Sequence, residues 1–290
     1  MRLDHAILNR PLDAGVVLEE HEWEQDYDPR GTWLVQTGAM RTVNDYGVVS
    51  DGHGFTDSPD CERISGGINS KGPRAVAIGR QANMLQWGFY AAPDRMTESG
   101  KKAFLNAIVY MKQFDGHKPL VKKISRGRSW LEQYVESVRE LDSMDESSRE
   151  RYEGYLPKKF PAELIAEVGL DADALEAWRA ANEEYFFNPD GRDFEIDEDL
   201  ARLGVSNRKP EFLDLLLERL GTDPGDGIAL WLAHRYLGRN GKNAATAIAW
   251  IGANRDLLFF SDTGGYRWFV DTNAKRAAAI AVEAVARTTR

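Results

Sequence analysis

Four side chains between residues 79 and 93 have the chemical types that bind small polar ligands. Arg80 can hold a carboxylate or phosphate through two hydrogen bonds, and Asn83 and Gln86 can bond hydroxyl groups. Trp87 can stack on the apolar face of a sugar. This loop is therefore the best candidate in the sequence for a carbohydrate-type binding site. The preferred interpretation of the same residues is nevertheless structural, with Trp87 and Phe89 in the core and Arg80 bracing the acidic amino-terminal loops.

The elements on either side would position this loop. Ala75–Ile78 is a short apolar run that predicts a buried strand, and Thr97 is a suitable N-cap for a helix that continues to residue 114. A strand–loop–helix order puts the loop at the carboxyl end of a strand, where open α/β sheets usually keep their sites. The helical period predicts one buried stripe on the helix, formed by Phe104, Ala107, Ile108 and Met111.

The character of the chain changes near residue 120. Residues 1–120 contain short apolar pieces, turn signals and one clear helix, which predicts an α/β domain with a partial, open sheet. Residues 121–290 predict a mainly helical domain, in which Leu257–Val270 forms a small hairpin and Gly204 and Gly221 end helices. Its later helices are predicted at Pro161–Val168, Asp171–Tyr185, Asp197–Leu203, Pro210–Leu220, Gly227–Tyr236, Ala244–Asn254 and Asn273–Thr288.

Three stretches resemble a known family. Asp4-His5-Ala6-Ile7, followed by Pro11-Leu12, resembles the D-H-P-I…G-L stretch of trehalose-utilisation (ThuA-like) proteins in the class I glutamine amidotransferase-like superfamily. The strand Ala75–Gly79 and the helix ending at Tyr110 resemble the closing strand and helix of that fold. Residues 254–267 resemble a helical appendage of large multidomain proteins from environmental bacteria. The resemblance implies a sugar-associated setting, and it carries over no catalytic residue.

Cys61 is the one candidate nucleophile of its type, because the chain has a single cysteine. A reactive thiolate would need a histidine base, for which His5 and His53 are the candidates. The flanking carboxylates of Asp60 and Glu62 disfavour a thiolate. Class I amidotransferases hold their cysteine on a tight glycine-flanked turn, and residues 60–64 lack that pattern. An incidental cysteine is the preferred interpretation.

Metal ligands occur in two groups, and neither has the paired spacing of a zinc site. These groups are His21, Glu22 and Glu24, and Asp51, His53 and Asp57. The acidic segment 188–199 superficially resembles a calcium loop, but aligning Gly191 with the invariant glycine puts Phe186 at the first ligand position. We therefore predict no metal and no cofactor, and an acidic turn before a helix at residues 188–199.

The net charge of −9 argues against nucleic-acid binding, and no apolar run is long enough to span a membrane. The first residues lack the apolar core of a signal peptide, so a cytoplasmic location is expected. The leading functional hypothesis is a noncatalytic binding or scaffolding protein with a ThuA-like module, with a sugar or a protein as partner. The alternatives are a Cys61-dependent hydrolase or amidotransferase-like enzyme, and a protein-interaction module formed by the helical domain.

Overall fold

The computed structural model describes residues 2–19, 31–37, 50, 52–69, 72–90, 92–188 and 194–288. The chain divides into two compact units, Met1–Pro119 and Leu120–Arg290. The first unit combines a small sheet with helices, and the second is mainly helical with short hairpins. The predicted fold class is confirmed.

The first unit is built on a three-stranded antiparallel sheet with the order β1-β2-β3. The strands are β1 Cys61–Asn69, β2 Gly72–Gln81 and β3 Met84–Trp87, and the helices are α1 Ala6–Asn9 and α2 Glu98–Met111. β2 is central, so its backbone groups are paired on both edges and its residues from Val76 to Arg80 are buried. One apolar core lies between the sheet and the helices and includes Ile7, Leu8, Ile64, Ile78, Ala103 and Ala107.

The prediction that residues 79–93 form a loop between a strand and a helix is wrong. β2 runs on to Gln81, and β3 begins only three residues later. Ala82 enables this tight reversal by adopting a left-handed backbone with φ of 48°. Because β3 returns antiparallel beside β2, the sheet has no parallel crossover and hence no carboxyl-end crevice of the α/β type at this point.

The helix α2 begins as predicted, since the Thr97 side chain accepts a hydrogen bond from the Gly100 amide. Its buried stripe matches the prediction only in part, because Ala107 is buried as predicted and Phe104 and Met111 are half-buried. Gly100, Ala103 and Ala107 face the core, whereas Ile108 is exposed. A Cβ atom at Gly100 would clash with the carbonyl oxygen of Val35. The small residues of α2 thus allow a close approach to the core, while Leu105, Ile108 and Val109 are exposed to solvent.

The second unit contains nine α-helices among its described residues and two antiparallel hairpins. The helices are α3 Ser129–Arg139, α4 Glu146–Glu153, α5 Ala162–Val168, α6 Ala172–Asn182, α7 Glu198–Leu203, α8 Pro210–Thr222, α9 Gly227–Leu237, α10 Ala244–Asn254 and α11 Thr272–Thr288. The hairpins pair β4 Phe186–Phe187 with β5 Glu195–Ile196, and β6 Leu258–Ser261 with β7 Arg267–Val270. The second hairpin confirms the one predicted at Leu257–Val270.

The seven later helices predicted for this unit are all present, with ends shifted by at most three residues. Gly204 ends α7 in a left-handed conformation, as predicted, with φ of 66°. Gly221 does not end a helix, because α8 continues through it to Thr222. A single large core joins helices and hairpins, with Leu131, Phe186, Phe212 and Tyr236 among its most buried members. Among the described residues, no helix combines the length and apolar character needed to cross a bilayer.

Candidate functional site

The carboxylate of Glu62, on β1, is the centre of the main polar cluster in the first unit. The Tyr110 hydroxyl donates to Oε2 at 2.5 Å, and Arg80 Nε donates to the same oxygen at 3.1 Å. On the other oxygen, Oε1, Arg2 Nη1 donates at 2.8 Å and His5 Nε2 lies at 3.2 Å. We call Glu62 and these four partners the Glu62 cluster. It joins the start of the chain to α1, β1, β2 and α2.

His5 has a defined role on both sides of its ring. Its Nδ1 accepts a hydrogen bond from the Ile7 amide at 3.2 Å and so caps α1. Nδ1 therefore carries no proton in this arrangement, and Nε2 carries the hydrogen that is donated to Glu62. Both ring nitrogens of this buried imidazole are thus engaged within the fold.

The cluster fixes the protonation states of its central pair. Partial burial raises the pKa of the Glu62 carboxyl, but the hydrogen bonds from His5, Tyr110 and Arg80 outweigh burial and hold that pKa well below its usual range. Burial, together with the hydrogen bond to Glu62, raises the pKa of Tyr110 to about 12. A carboxylate that stays charged and a phenol that stays neutral are poorly matched to proton transfer near neutral pH.

Arg80 makes three further contacts besides its hydrogen bond to Glu62. Its Nη1 donates to the backbone oxygens of Asp60 at 3.2 Å and Ala82 at 3.1 Å. The guanidinium carbon also lies 3.8 Å from the centroid of the Phe114 ring, a cation–π contact. Arg80 is 8% exposed, so its side chain stabilises the β2–β3 turn and the end of α2.

The structure does not bring the four predicted ligand-binding side chains together. In the β2–β3 register, Arg80 lies opposite Leu85 and Ile78 lies opposite Trp87, which puts Arg80 and Trp87 on one face. Gln86 lies on the other face, where its Nε2 donates to the Val76 carbonyl at 2.9 Å. Asn83 is exposed at the turn.

Trp87 packs within an aromatic group rather than standing free. Its ring makes edge contacts with Phe89 and Phe104, with each pair of ring centroids 5.1 Å apart. Phe89 in turn contacts Trp33, whose indole nitrogen donates to Ser99 at 2.9 Å. This arrangement corresponds to the preferred interpretation, in which Trp87 and Phe89 pack against the core.

Cys61 begins β1 and is half-buried. Its Sγ accepts from the Ser58 hydroxyl at 3.0 Å and lies 3.3 Å from the Gly54 carbonyl oxygen, to which a thiol would donate. Of the two candidate bases, His5 uses both nitrogens in the Glu62 cluster, and the side chain of His53 lies outside the described residues. A thiol that donates to a backbone carbonyl is in its protonated form, which is the less nucleophilic one.

The predicted metal-ligand groups fall largely outside the described residues, which exclude His21, Glu22, Glu24, Asp51 and the side chain of His53. Within the described part of the chain, no three side chains of the metal-binding types come together. In the acidic segment 188–199, the residues from Phe194 onward are described. There Asp197 accepts from the Leu200 amide and caps α7, which is the expected acidic start of a helix.

A second polar cluster lies in the helical unit and is centred on Arg128, just before α3. Its Nε and Nη2 donate to the two carboxylate oxygens of Asp262 at 2.8 and 2.9 Å, a bidentate pair. Nη1 donates to the Glu183 carbonyl at 2.5 Å, and Nη2 also reaches Asn207 Oδ1 at 3.2 Å. One buried guanidinium thus joins the segment before α3 to the β6–β7 turn and the end of α6.

The same cluster continues through the middle of the helical unit. Asn207 Nδ2 donates to the Phe186 carbonyl at 2.8 Å and lies 3.4 Å from the Tyr236 hydroxyl. Tyr236 donates to Asp197 at 2.8 Å, and Arg235 Nη1 donates to the same carboxylate oxygen at 2.7 Å. Burial raises the pKa of Tyr236, and the nearby charge of Asp197 adds to this effect. These buried polar groups satisfy one another, which is typical of fold-specifying networks.

Unlike the two buried polar clusters, the outer surface of α9 exposes a large aromatic side chain to solvent. Trp231 is 50% exposed, and Ile228 lies one turn before it on the same face. The guanidinium carbon of Arg235 is 4.7 Å from the Trp231 ring centroid and 4.1 Å from that of Phe187. Arg235 is held in turn by its hydrogen bond to Asp197, so the guanidinium that Trp231 packs against is fixed in position. We call Ile228, Trp231 and Arg235 the α9 surface.

Sequence reasoning did not identify His5, Glu62 or Tyr110 as members of one cluster. Glu62 lies 57 residues from His5 and 48 from Tyr110, and no short motif links them. A usable signal existed only for His5, which precedes the apolar run Ala6-Ile7-Leu8 at a position where a side chain can cap a helix. The rest depends on the pairing of β1 with β2, which brings Glu62 opposite Arg80.

Comparison with known proteins adds no assignment. No protein-family model, no curated protein and no solved structure matches the chain. The resemblance to ThuA-like proteins therefore stays a prediction.

Proposed function

We propose that this chain is a noncatalytic binding or scaffolding protein whose helical unit binds a protein partner through the α9 surface. The observation that carries the proposal is the half-exposed Trp231, whose ring packs against the Arg235 guanidinium. Tryptophan and arginine are the residues most enriched where single side chains dominate binding energy. Support by Arg235 and Asp197 lowers the entropy lost when a partner orders the Trp231 side chain.

The Glu62 cluster supports the noncatalytic part of the proposal. Its five side chains hydrogen-bond to one another and to the backbone, and its carboxyl and phenol are held in single protonation states. Catalytic acids and bases work best with a pKa near the operating pH. The cluster therefore suits a role in holding α1, the sheet and α2 together.

The association with carbohydrate has weaker support at the predicted position. The Arg80 guanidinium donates hydrogen bonds to Glu62 and to two backbone carbonyls. Gln86 lies on the opposite face of the sheet from Trp87. Of the four predicted side chains, Asn83 is the one that is exposed at the β2–β3 turn, and Trp87 lies at the other end of β3. We therefore place the proposed binding function in the helical unit and keep the ThuA-like relationship as a proposal.

The test compares capture of proteins from a lysate of the source cells by the wild-type chain and by Trp231→Ala. We expect a discrete partner that the wild-type chain retains and that Trp231→Ala loses, because truncating a central tryptophan commonly costs about 2 kcal/mol or more of binding energy. Ile280→Ala, which truncates an exposed apolar residue on α11, is the matched control and should retain the partner. Equal retention by Trp231→Ala would contradict the proposal.

A further inference from the structure

The outer face of α2, in the first unit, presents three large apolar side chains to solvent. Leu105, Ile108 and Val109 are 52%, 54% and 52% exposed. They lie on one side of the helix because residues three and four apart are neighbours on its surface. The opposite side, with Ala103 and Ala107, packs into the core. We call Leu105, Ile108 and Val109 the α2 patch.

Charged residues frame the α2 patch in a symmetric way. Glu98 and Lys112 lie seven residues before and after Leu105, and two helical turns bring all three close to one line along the helix. Lys101 and Lys102 flank the amino-terminal side. Lys101 Nζ already pairs with Glu98 Oε1 at 2.7 Å, and Glu98 remains 81% exposed. The carboxylate is therefore accessible to a second cation.

We propose that a second copy of this chain covers the α2 patch, with the two α2 helices antiparallel across a two-fold axis at Leu105. Such a pairing puts Leu105 against its own counterpart at the axis. Glu98 of each copy then meets Lys112 of the other, which forms two equivalent ion pairs. The aliphatic stems of Lys101 and Lys102 lie over the apolar residues of the opposite helix while their ammonium groups stay in water.

The charge pattern favours a second copy because one face supplies both members of each ion pair. An interface that uses the same patch twice needs this self-complementarity. With three half-exposed apolar side chains, the patch is small beside the roughly 20 to 30 residues that each partner contributes to a stable interface. The association is consequently weak and is populated at high protein concentration. It uses residues of the first unit only, so it is independent of the α9 surface.

Sedimentation velocity of the full chain at about 10 to 500 µM tests the proposal, because a weak dimer is detected only when the protein concentration approaches the dissociation constant. We expect a reversible monomer–dimer equilibrium in the wild-type chain. Leu105→Glu should weaken it by at least about tenfold, because two carboxylates would meet at the axis. Ile280→Glu adds the same charge to an exposed apolar position in the other unit and should leave it unchanged.

A charge exchange tests the antiparallel arrangement itself. Lys112→Glu alone should weaken the dimer, since it opposes two carboxylates. The double variant Glu98→Lys, Lys112→Glu should restore it, and circular dichroism confirms that each variant is folded. A chain that stays monomeric at every concentration overturns the proposal and leaves the patch to a different kind of partner. A dimer that is insensitive to Leu105→Glu, or that the double variant does not restore, overturns it as well.

Discussion

At the scale of single residues, Glu62 is the side chain on which the first unit depends most. It accepts hydrogen bonds from three different elements and from the start of the chain, and its partner Arg80 is buried with it. Removing one charge of a buried pair is costly because the remaining charge stays in a poorly solvating environment. Glu62 should therefore contribute measurably to the free energy of unfolding.

Glu62→Gln should lower the free energy of unfolding by about 3 kcal/mol, because Arg80 would remain buried without its counter-charge. Denaturant unfolding measures this loss. Arg2→Gln is the control, since the Arg2 side chain is 53% exposed and an exposed pair contributes at most about 1 kcal/mol. Equal losses for the two variants would show that the buried Arg80–Glu62 pair is not the dominant contact.

The difference in unfolding free energy between the wild-type chain and Glu62→Gln should depend on pH, and the pKa of Glu62 fixes the direction of that dependence. The pKa of Glu62 is lower in the folded chain than in the unfolded chain, so its stabilisation is fully present above the unfolded value of about 4.3. It is lost as the pH falls below that value. The difference between the wild-type chain and Glu62→Gln should accordingly shrink in acid.

Sequence reasoning at this scale was least successful for the predicted site. Of the two interpretations of Arg80 and Trp87, the structure agrees with the one that gives both residues a role in the fold. The pairing of β1 with β2 puts Arg80 opposite Glu62, whose carboxylate neutralises the guanidinium charge. The type of a residue can indicate that its side chain will make polar contacts, but strand pairing decides which residue it contacts.

At the scale of elements, helices were predicted well because their signals are local. Caps and apolar periods located α7 to α10 within two residues of their observed ends. The α2 stripe was less accurate, because Gly100, Ala103 and Ala107 permit a close approach that periodicity alone does not reveal. Which face of a helix is buried depends on the element that it meets.

The bidentate Arg128–Asp262 pair should be the most sensitive link between elements of the helical unit. Asp262→Asn should cost about 3 to 5 kcal/mol of unfolding free energy, since it leaves a buried guanidinium without its counter-charge. Asp214→Asn is the matched control, because Asp214 pairs with Arg255 at the surface and its side chain is 62% exposed. A loss of about 0.5 kcal/mol or less is expected there. Similar losses for both variants would contradict a special role for the buried pair.

At the scale of the whole molecule, each unit has its own core and its own internally satisfied polar cluster. The division of the chain into a sheet-containing part and a helical part could be predicted from composition and periodicity. The two polar clusters could not, because they join residues between 18 and 134 positions apart. In both units the charged side chains of highest burial hydrogen-bond within the fold, and α2 and α9 expose large apolar side chains to solvent.

We propose that the Glu62 cluster holds the fold and does not transfer protons. The decisive experiment is carbon-13 NMR of the Glu62 carboxyl during an acid titration of the folded chain, with Glu62→Gln used to assign the signal. Glu62 should stay ionised well below the usual glutamate pKa of about 4.3. A midpoint near neutral pH would contradict it and would make Glu62 a candidate general acid or base.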